Sequence, residues 1–413
     1  MKSLTPRRRK WIVLLLSASI GINLVDRQAL SVVAPVLRAH LSLSNTQYSY
    51  IIFGFQLGML LGQLPAGLLL DRVGAKLGFI FIFTAWSSID ALHGLSSGLA
   101  SLIGLRFLLG LAECGNYSGG IKVIASLFPA ERRAFAGGVF NGGAQLGAVL
   151  APPIIVFITI HWGWRAAFII PSLLGLLWLL PWTRTFPRER EGLATVSEGK
   201  PEFTSGRVAI SPKRLLHNRQ VLGLMLFRAL TGPLTSFYWY WLPEYLRHGR
   251  GMSLLAIGVL AWIPYVGGGA GNVAGGYVSD FLIKRGASED AARKISFVAG
   301  AMFSSLSLTL PWIRSTALAI GAISVIVFGN QWMAATYIGM VGDIFPSEIV
   351  GTVNGMGGVA DSGMGMVTML LVGIVIDHFS YAPVLVAAGV FPALAALAVF
   401  AVIGKITRVE IAR

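Results

Sequence analysis

Charged side chains interrupt several of the long apolar runs in this sequence. Six of them lie well inside runs of about twenty apolar residues, the length that crosses a bilayer: Asp26, Arg27, Arg106, Glu113, Arg228 and Asp361. A charge at such depth in a spanning helix is costly, so each is a functional candidate by default. Asp90 and Lys122 lie near the ends of their runs, where we expect the charged group to reach the interface by snorkelling.

Counting along the helices brings four of these charges together. The run with Asp26 leads outward to about Val33, and the run with Arg106 leads inward from about Leu99. At 1.5 Å per residue both side chains lie roughly 10 Å below the outer surface. Arg106 and Glu113 are about two turns apart and share one helix face. We therefore expect an Asp26–Arg106 pair, with Glu113 one step deeper.

The chemistry open to this group follows from its charges. Arginine keeps its proton, so Arg27 or Arg106 can present a permanent positive charge to a cavity, and its guanidinium fork suits a carboxylate. A carboxyl whose arginine partner is taken by an incoming anion should bind a proton more readily. Anion binding and protonation then favour each other, which is the basis of proton–anion symport. The alternative is a fixed salt bridge between two helices, although four charges on two helices favour function.

Other side chains are candidates for contacts with a small anion through an amide or an aromatic ring: Asn23, Gln145, Tyr238, Trp241, Trp262, Trp332 and Asn354. Gln145 lies near the middle of its run, where a lone amide is costly without a partner, and could bind a hydroxyl. Tyr238 and Trp241 could stack on a sugar face. An aromatic belt at the membrane interface explains at least half of the aromatic residues more simply.

The composition requires a membrane. The chain has 413 residues, a mean hydropathy of +0.71 and 12% charged residues, against about 25% in a soluble domain. Twelve apolar runs begin near residues 11, 47, 77, 99, 134, 165, 218, 253, 293, 317, 351 and 381. We therefore predict an all-α integral membrane protein of twelve transmembrane helices, with no room for a large soluble domain.

The placement of the positive charge predicts the orientation. The formal net charge is +15, which in a soluble protein would suggest nucleic acid. With the N-terminus inside, the inside segments hold 24 of the 33 Lys and Arg residues. This asymmetry is the positive-inside rule, so nucleic-acid binding is not needed to explain the charge. We expect the protein to lie in a bacterial inner membrane with both termini in the cytoplasm. The expected partners are the lipid bilayer, protons and a small organic anion.

Two stretches about half a chain apart repeat each other. Gly67–Lys76 and Gly276–Gly286 share a glycine followed by an acid and basic residues, with the acids at Asp71 and Asp280. A glycine spacing of four, which allows close helix approach, also occurs once in each half: Gly54, Gly58 and Gly62, then Gly267, Gly271 and Gly275. We predict two pseudo-symmetric six-helix halves, residues 1–183 and 218–413, joined by a cytoplasmic linker at 184–217. Such halves commonly alternate access to a midplane site.

The repeated loops are candidates for a gate on the inner face. Asp71 and Asp280 could begin a helix or pair with basic residues, and Arg72 and Lys76 stand beside the first of them. Such pairing would hold the inside face shut until transport breaks it. Ordinary positive-inside loops explain Arg72 and Lys76, but not the repeated frame around the acids.

These motifs resemble the major facilitator superfamily over essentially the whole chain, and Gly67–Lys76 resembles its loop motif. Within it the chain resembles the anion:cation symporter family, which includes bacterial sugar-acid transporters. The residues that carry this resemblance are Asn23–Arg27 and, with six residues between them, Arg106 and Glu113. Four further stretches look most like the hexuronate transporters of that family: Ile121–Arg133, Phe140–Pro153, Tyr238–Tyr245 and Ala261–Pro264. The resemblance implies proton-driven uptake of a monoanionic sugar acid.

The resemblance also implies roles for the charged residues. Asp26 and Glu113 would be the proton-coupling carboxyls, Arg27 would hold the substrate carboxylate, and Arg106 would pair with Asp26. The sequence departs from relatives at Met59, where a tyrosine is common, and at Asp361, where a glycine-rich uncharged stretch is expected.

Our first hypothesis is a proton-coupled symporter that imports a hexuronate such as glucuronate or galacturonate and works as a monomer. Alternatives are a transporter of another carboxylate (an aldonate, aldarate or aromatic acid), an anion exchanger of the organophosphate type and a non-transporting membrane sensor. An enzyme is not expected, because the sequence has no His-Glu-x-x-His, no nucleophile elbow and no metal-binding spacing among its six histidines. We predict no cofactor, and the one cysteine, Cys114, excludes an internal disulfide.

Overall fold

The computed structural model describes residues 5–128, 130–186, 215–345 and 347–406, and within these ranges the chain is helical with no strand. The main helices are α1 (Pro6–Leu41), α2 and α3 (residues 45–73 and 75–92, parts of Asn45–Leu92), α4 (Leu99–Glu113, continuing as Gly115–Leu127), α5 and α6 (residues 130–162 and 164–185, parts of Ala130–Thr185), α7 (Arg219–Tyr240), α8 (Leu254–Leu260, continuing as Ile263–Lys284), α9 (Glu289–Ser305), α10 (Thr316–Ile344), α11 (Ser347–His378) and α12 (Tyr381–Ala398).

Short polar residues set where these helices begin. Ser44 accepts a hydrogen bond from the Gln47 amide, and the Gln47 side chain bonds back to Ser44, which forms a capping box. Single glycines divide the two longest helices: Gly74 has φ 77° and Gly163 has φ 81°, a conformation that costs glycine little. The chain therefore changes direction at Gly74 and at Gly163 without a long polar loop.

Ten helical segments in the described ranges are long and apolar enough to cross a membrane: Arg7–Leu41, Arg72–Leu95, Leu99–Ile124, Phe135–Thr185, Arg219–Tyr240, Leu254–Lys284, Glu289–Trp312, Thr316–Ile344, Ile349–His378 and Tyr381–Ile403. Phe135–Thr185 has 51 residues, far more than the ~20 that one crossing needs, and contains the break at Gly163. The chain is thus a multi-pass membrane protein, and the count of twelve crossings stays a prediction.

The helices form two compact units. The first unit contains α1 to α6 together with Leu246–Trp262, and the second contains α7 and the chain from Ile263 onward. The predicted halves, residues 1–183 and 218–413, stay a prediction, with the added finding that Leu246–Trp262 clusters with the first unit. Residues 187–214, most of the predicted linker, lie outside the described residues.

The repeated glycines permit close helix contact in both units, as the spacing predicts. In the first unit, a Cβ at Gly58 would overlap the carbonyl oxygen of Phe107, so α2 approaches the backbone of α4. In the second, a Cβ at Gly271 would overlap the carbonyl oxygen of Phe328, so α8 approaches α10. Lipid supplies no hydrophobic force between helices, so such backbone approach is a main source of their packing energy.

An aromatic stack joins α3 to α6 and fixes one face of α3. The ring centroids of Phe83 and Trp178 are 3.9 Å apart, those of Phe83 and Trp86 are 4.1 Å apart, and those of Phe79 and Trp182 are 4.7 Å apart. Trp86 and Trp182 are completely buried. The stack sets the position of the Trp86 indole.

Alanine at the close-contact glycines should destabilise the fold. Gly58→Ala and Gly271→Ala place a methyl group against backbone that cannot move independently, which typically costs about 1–3 kcal/mol. Gly104→Ala and Gly276→Ala are matched controls, because a Cβ there meets nothing within 4 Å. Unfolding of the purified protein in detergent measures the difference, and equal stability for all four variants would contradict the packing described here.

Candidate functional site

An ion pair between α1 and α4 is the centre of the candidate site. The Arg27 Nη2 and Nε groups donate to Glu113 Oε2 at 3.0 Å and 3.2 Å. The Arg27 side chain is 22% exposed, whereas the Glu113 side chain is fully buried. Arg27 also donates to Asn23 Oδ1 at 3.3 Å and lies 4.0 Å from the Met59 sulfur. The arginine is therefore partly accessible, whereas its carboxylate partner is sealed in the helix packing.

Asp26, the neighbour of Arg27 in sequence, points to a different partner. Its carboxylate Oδ2 accepts a hydrogen bond of 2.8 Å from the Trp86 indole, and both side chains are completely buried. An indole N–H is a donor only, so it supports a carboxylate without competing for the proton that the carboxyl could take up.

Arg106 on α4 is buried and faces aromatic rings. Its guanidinium carbon lies 5.6 Å from the Phe168 ring centroid and 6.0 Å from that of Phe55, and Phe55 also lies 5.3 Å from the Arg27 guanidinium carbon. The direct Asp26–Arg106 ion pair stays a prediction.

A third carboxylate, Asp90, joins this group. It is completely buried and accepts a 3.1 Å hydrogen bond from Ser172 on α6, with His93 Nδ1 3.8 Å from its other oxygen. The expectation that Asp90 snorkels to the interface is therefore wrong. Ser172 of α6 lies against this face of α3, so the carboxylate is enclosed by the neighbouring helix. Lys122 instead has an exposed side chain and donates to the Leu70 carbonyl at 2.8 Å.

The charges of this group do not cancel. The charge cluster of the first unit is our name for six side chains linked by direct contacts or through a neighbouring aromatic ring: Asp26, Arg27, Asp90, His93, Arg106 and Glu113. Three carboxylates and two guanidiniums leave one net negative charge when all five are ionised and the imidazole is neutral. One bound proton would make the cluster neutral, and uncompensated charge is costly in the membrane.

The second unit has its own ion pair. Arg228 on α7 donates to Asp361 on α11, and the Arg228 guanidinium carbon lies 5.5 Å from the Tyr337 ring centroid. Both charged side chains are about a quarter exposed, at 28% and 25%. The two residues that the sequence marks as isolated charges are thus partners of each other.

The remaining predicted ligands divide into partly accessible and packed side chains. Gln145, Trp262 and Asn354 are half-buried. Trp332 and Tyr238 are packed: Trp332 donates to Ser296 at 2.8 Å. The Tyr238 hydroxyl lies 3.3 Å from the hydroxyl of Ser307.

Trp241 is completely buried. Trp241, Trp332 and Tyr238 are thus all packed against other side chains or buried, and their contact with substrate stays a prediction.

The repeated loop residues differ between the units. Asp280 lies within α8, where Arg293 of α9 approaches it at 3.5 Å and also donates to Asp343 at 2.7 Å. In the first unit Lys76 donates to the Phe186 carbonyl at 2.9 Å, and Arg72 is exposed. The side chain of Asp71 lies outside the described residues. A gating role for these residues stays a prediction.

Comparison with known proteins agrees with this architecture. The sequence pattern of the Major Facilitator Superfamily matches residues 16–288, more than half of the chain. The chain belongs to this superfamily. It is therefore a membrane transport protein and not an enzyme.

Individual relatives in the superfamily extend over nearly the whole chain. The probable galactarate/D-glucarate transporter GarP of Escherichia coli (strain K12) is 30% identical over 98% of this chain and 96% of its own. The hexuronate transporter of the same organism is 28% identical over 98% and 96%. Among solved structures, a bacterial homologue of the human lysosomal transporter Spinster, inward-facing and occupied, has a TM-score of 0.79 at 18% identity, covering 97% of this chain and 98% of its own.

Sequence reasoning missed Trp86 and His93 and placed Asp90 at the interface, although all three belong to the buried polar network of the first unit. Trp86, Asp90 and His93 are spaced by four and three residues, so they share one face of α3. That helical spacing of polar side chains in an apolar run is the signal that could have found them.

The Trp86–Asp26 hydrogen bond should give a measurable coupling energy. Hydrogen bonds to charged groups contribute about 1.5–3 kcal/mol. In a double-mutant cycle, Trp86→Phe and Asp26→Asn should therefore be non-additive by about 1 kcal/mol or more. Unfolding in detergent of the two single variants and the double variant measures this energy.

Trp182→Phe provides the matched control for that cycle. Its indole donates to the Lys76 carbonyl at 3.3 Å in the same aromatic stack, so it should be additive with Asp26→Asn to within about 0.5 kcal/mol. Additivity in the Trp86 cycle as well would show that the hydrogen bond contributes nothing specific.

Proposed function

We propose that this transporter imports a sugar acid, a small polyhydroxylated carboxylate, together with protons. The observation that carries the proposal is the Arg27–Glu113 pair, in which the arginine is partly accessible and the carboxylate is sealed. Arg27 donates two hydrogen bonds to one oxygen of Glu113, and a guanidinium fork can also bind both oxygens of a free carboxylate. A substrate carboxylate can therefore replace Glu113 as the partner of Arg27.

Proton coupling follows from what happens to Glu113 after that replacement. Its side chain is buried and cannot turn to water, and a buried carboxylate without a cation is strongly disfavoured. A proton must then neutralise it. Asp26, held by Trp86, is the second proton-binding carboxyl in this proposal. The net negative charge of the charge cluster supports the same conclusion independently.

The substrate class rests on the relatives and on the polar side chains near Arg27. The relatives at 28–30% identity are named for galactarate/D-glucarate and hexuronate, which are all sugar acids. Asn23 touches Arg27, and Gln145 is half-buried on α5; both amides could bind hydroxyl groups. A hexuronate stays our first substrate, with an aldarate or aldonate as the alternative.

The wider arrangement is part of the same proposal. The protein would work as a monomer in the bacterial inner membrane with both termini in the cytoplasm. Its six-helix halves would be residues 1–183 and 218–413, and duplicated halves of this kind commonly provide alternating access.

The conservative substitution Arg27→Lys tests the substrate contact. Lysine keeps the charge but loses the fork, so we expect uptake at low substrate concentration to fall at least tenfold. Arg38→Lys is the matched control on the same helix, where the arginine donates to the Leu43 carbonyl at 3.2 Å. Initial rates of radiolabelled glucuronate uptake into proteoliposomes give the comparison, with galactonate and glucarate as competitors. Equal rates in both variants would remove Arg27 from the substrate site.

The neutral substitutions Glu113→Gln and Asp26→Asn test proton coupling. Each keeps the side-chain shape but cannot exchange a proton, so an inward proton gradient should no longer drive accumulation, while exchange of labelled for unlabelled substrate continues. Wild-type protein in the same vesicles is the control. Full gradient-driven accumulation in both variants would exclude these carboxyls as the coupling groups, and wild-type protein that moves no sugar acid would refute the proposed function.

A further inference from the structure

The ion pair of the second unit differs from a purely structural ion pair in the same unit. Arg293 and Asp343 make a 2.7 Å contact, the arginine is only 8% exposed, and it is also held by Ser279 at 2.9 Å. Arg228 and Asp361 are 28% and 25% exposed. A ligand could therefore reach Arg228, which is not the case for Arg293.

The backbone around Arg228 and Asp361 leaves space for the pair. A Cβ at Gly232 would overlap the Asp361 carboxylate, and a Cβ at Gly357 would lie 3.3 Å from the Arg228 side chain. Any larger residue at either position would displace these side chains. The two glycines thus let α7 and α11 hold opposite charges side by side.

A buried hydroxyl without a partner faces the same place. The Tyr337 ring stacks on Phe227 with centroids 5.6 Å apart, and its side chain is 4% exposed. Among the described residues its hydroxyl has no hydrogen-bond partner, and a Cβ at Gly357 would overlap it. A hydroxyl in this position costs free energy unless something binds it.

A second unsatisfied atom lies two turns along the same helices. The Asn330 side-chain nitrogen donates to the Thr235 hydroxyl at 2.6 Å, while its oxygen has no partner among the described residues. Seven residues separate Arg228 from Thr235 on α7, and seven separate Asn330 from Tyr337 on α10. The two helices therefore share a polar strip about 10 Å long, with a cation and a phenol at one end and an amide at the other.

We propose that Arg228 is a carboxylate-binding site within the second unit, and that Asp361 is its built-in counter-ion, displaced when a sugar-acid carboxylate binds. The Tyr337 hydroxyl and the Asn330 side-chain oxygen then take hydroxyl groups of the ligand. The proposal rests on the proposed function for the identity of the ligand, but the exchange of one carboxylate for another at Arg228 can be tested without it.

The counter-ion explains how the protein tolerates Arg228 when no ligand is bound. A lone arginine inside a spanning helix is costly, and Asp361 offsets that cost. Asp361 is also a competitor, because it must leave before another carboxylate binds. If the pair were purely structural, removal of either partner would reduce the function or the stability of the protein. The two interpretations therefore predict opposite effects of removing Asp361 on ligand affinity.

Chemical rescue is the first test. Asp361→Ala leaves Arg228 without a carboxylate, and the purified full-length variant should be less stable than wild type in chloride. Acetate at equal ionic strength should raise its melting temperature by several degrees. Asp343→Ala, which empties the sealed pair, should gain no such stabilisation, and neither should the double variant Arg228→Gln/Asp361→Ala. Acetate that stabilises none of these variants, or all of them equally, would overturn the proposal.

Equilibrium binding is the second test and uses the isosteric variant Asp361→Asn, which is expected to fold. Radiolabelled glucuronate, with galactonate and glucarate as competitors, should bind at least threefold more tightly to this variant than to wild type and at least tenfold more weakly to Arg228→Gln. Tyr337→Phe should weaken binding severalfold without changing the acetate rescue. Weaker binding to Asp361→Asn would show that the pair is structural. Acetate rescue in a protein that binds no sugar acid would keep the carboxylate site and refute only the proposed function.

Discussion

The structure depends on one constraint: each charge placed inside an apolar, membrane-spanning helix must be compensated by a group that the chain itself supplies. Arg27 meets Glu113, Arg228 meets Asp361, and Asp26 meets the Trp86 indole. Hydrocarbon offers no hydrogen-bond partner, so a charged side chain at this depth needs a partner in the protein or a polar cavity to face. The helices that carry them are therefore fixed relative to one another within each unit.

Close helix contact is what brings these partners within reach. Gly58 and Gly62 on α2 lie against the backbone of α4, which carries Arg106 and Glu113. On the other side of the first unit, the aromatic stack holds α3 against α6 and sets the position of Trp86. Small residues and large rings thus have complementary roles, because the first let backbones approach and the second fill the space that remains.

The sequence was sufficient for much of this fold, for a physical reason. Apolar runs, the bias of positive charge and the paired glycine spacings are local or periodic signals, and they predicted a multi-span helical protein with close helix contacts at the glycines; the structure shows that these contacts join α2 to α4 and α8 to α10. Which carboxylate meets which arginine is not local. Depth counting put Asp26 beside Arg106 and Glu113 one step deeper, but it carries no information on helix rotation. Rotation directs Arg27 to Glu113 and Asp26 to Trp86.

Asp90 and Asp361 show the same limit from two directions. Asp90 is near the end of its run, yet α6 covers it and Ser172 binds it, so distance along the sequence underestimated its burial. Asp361 stands alone in α11, yet a charge from α7 reaches it across Gly232. Both outcomes depend on the neighbouring helix rather than on the residue itself.

The degree of exposure separates the ion pairs by what they can do. Arg293 is enclosed by Ser279 and two carboxylates, so its pairs can hold helices together but cannot exchange partners. Arg27 and Arg228 are each partly open, and each faces a carboxylate fixed on another helix. An arginine that is compensated internally and yet accessible is stable when empty and available to an anion. In the proposed function, the same side chains offset the cost of burying charge and bind the charged ligand.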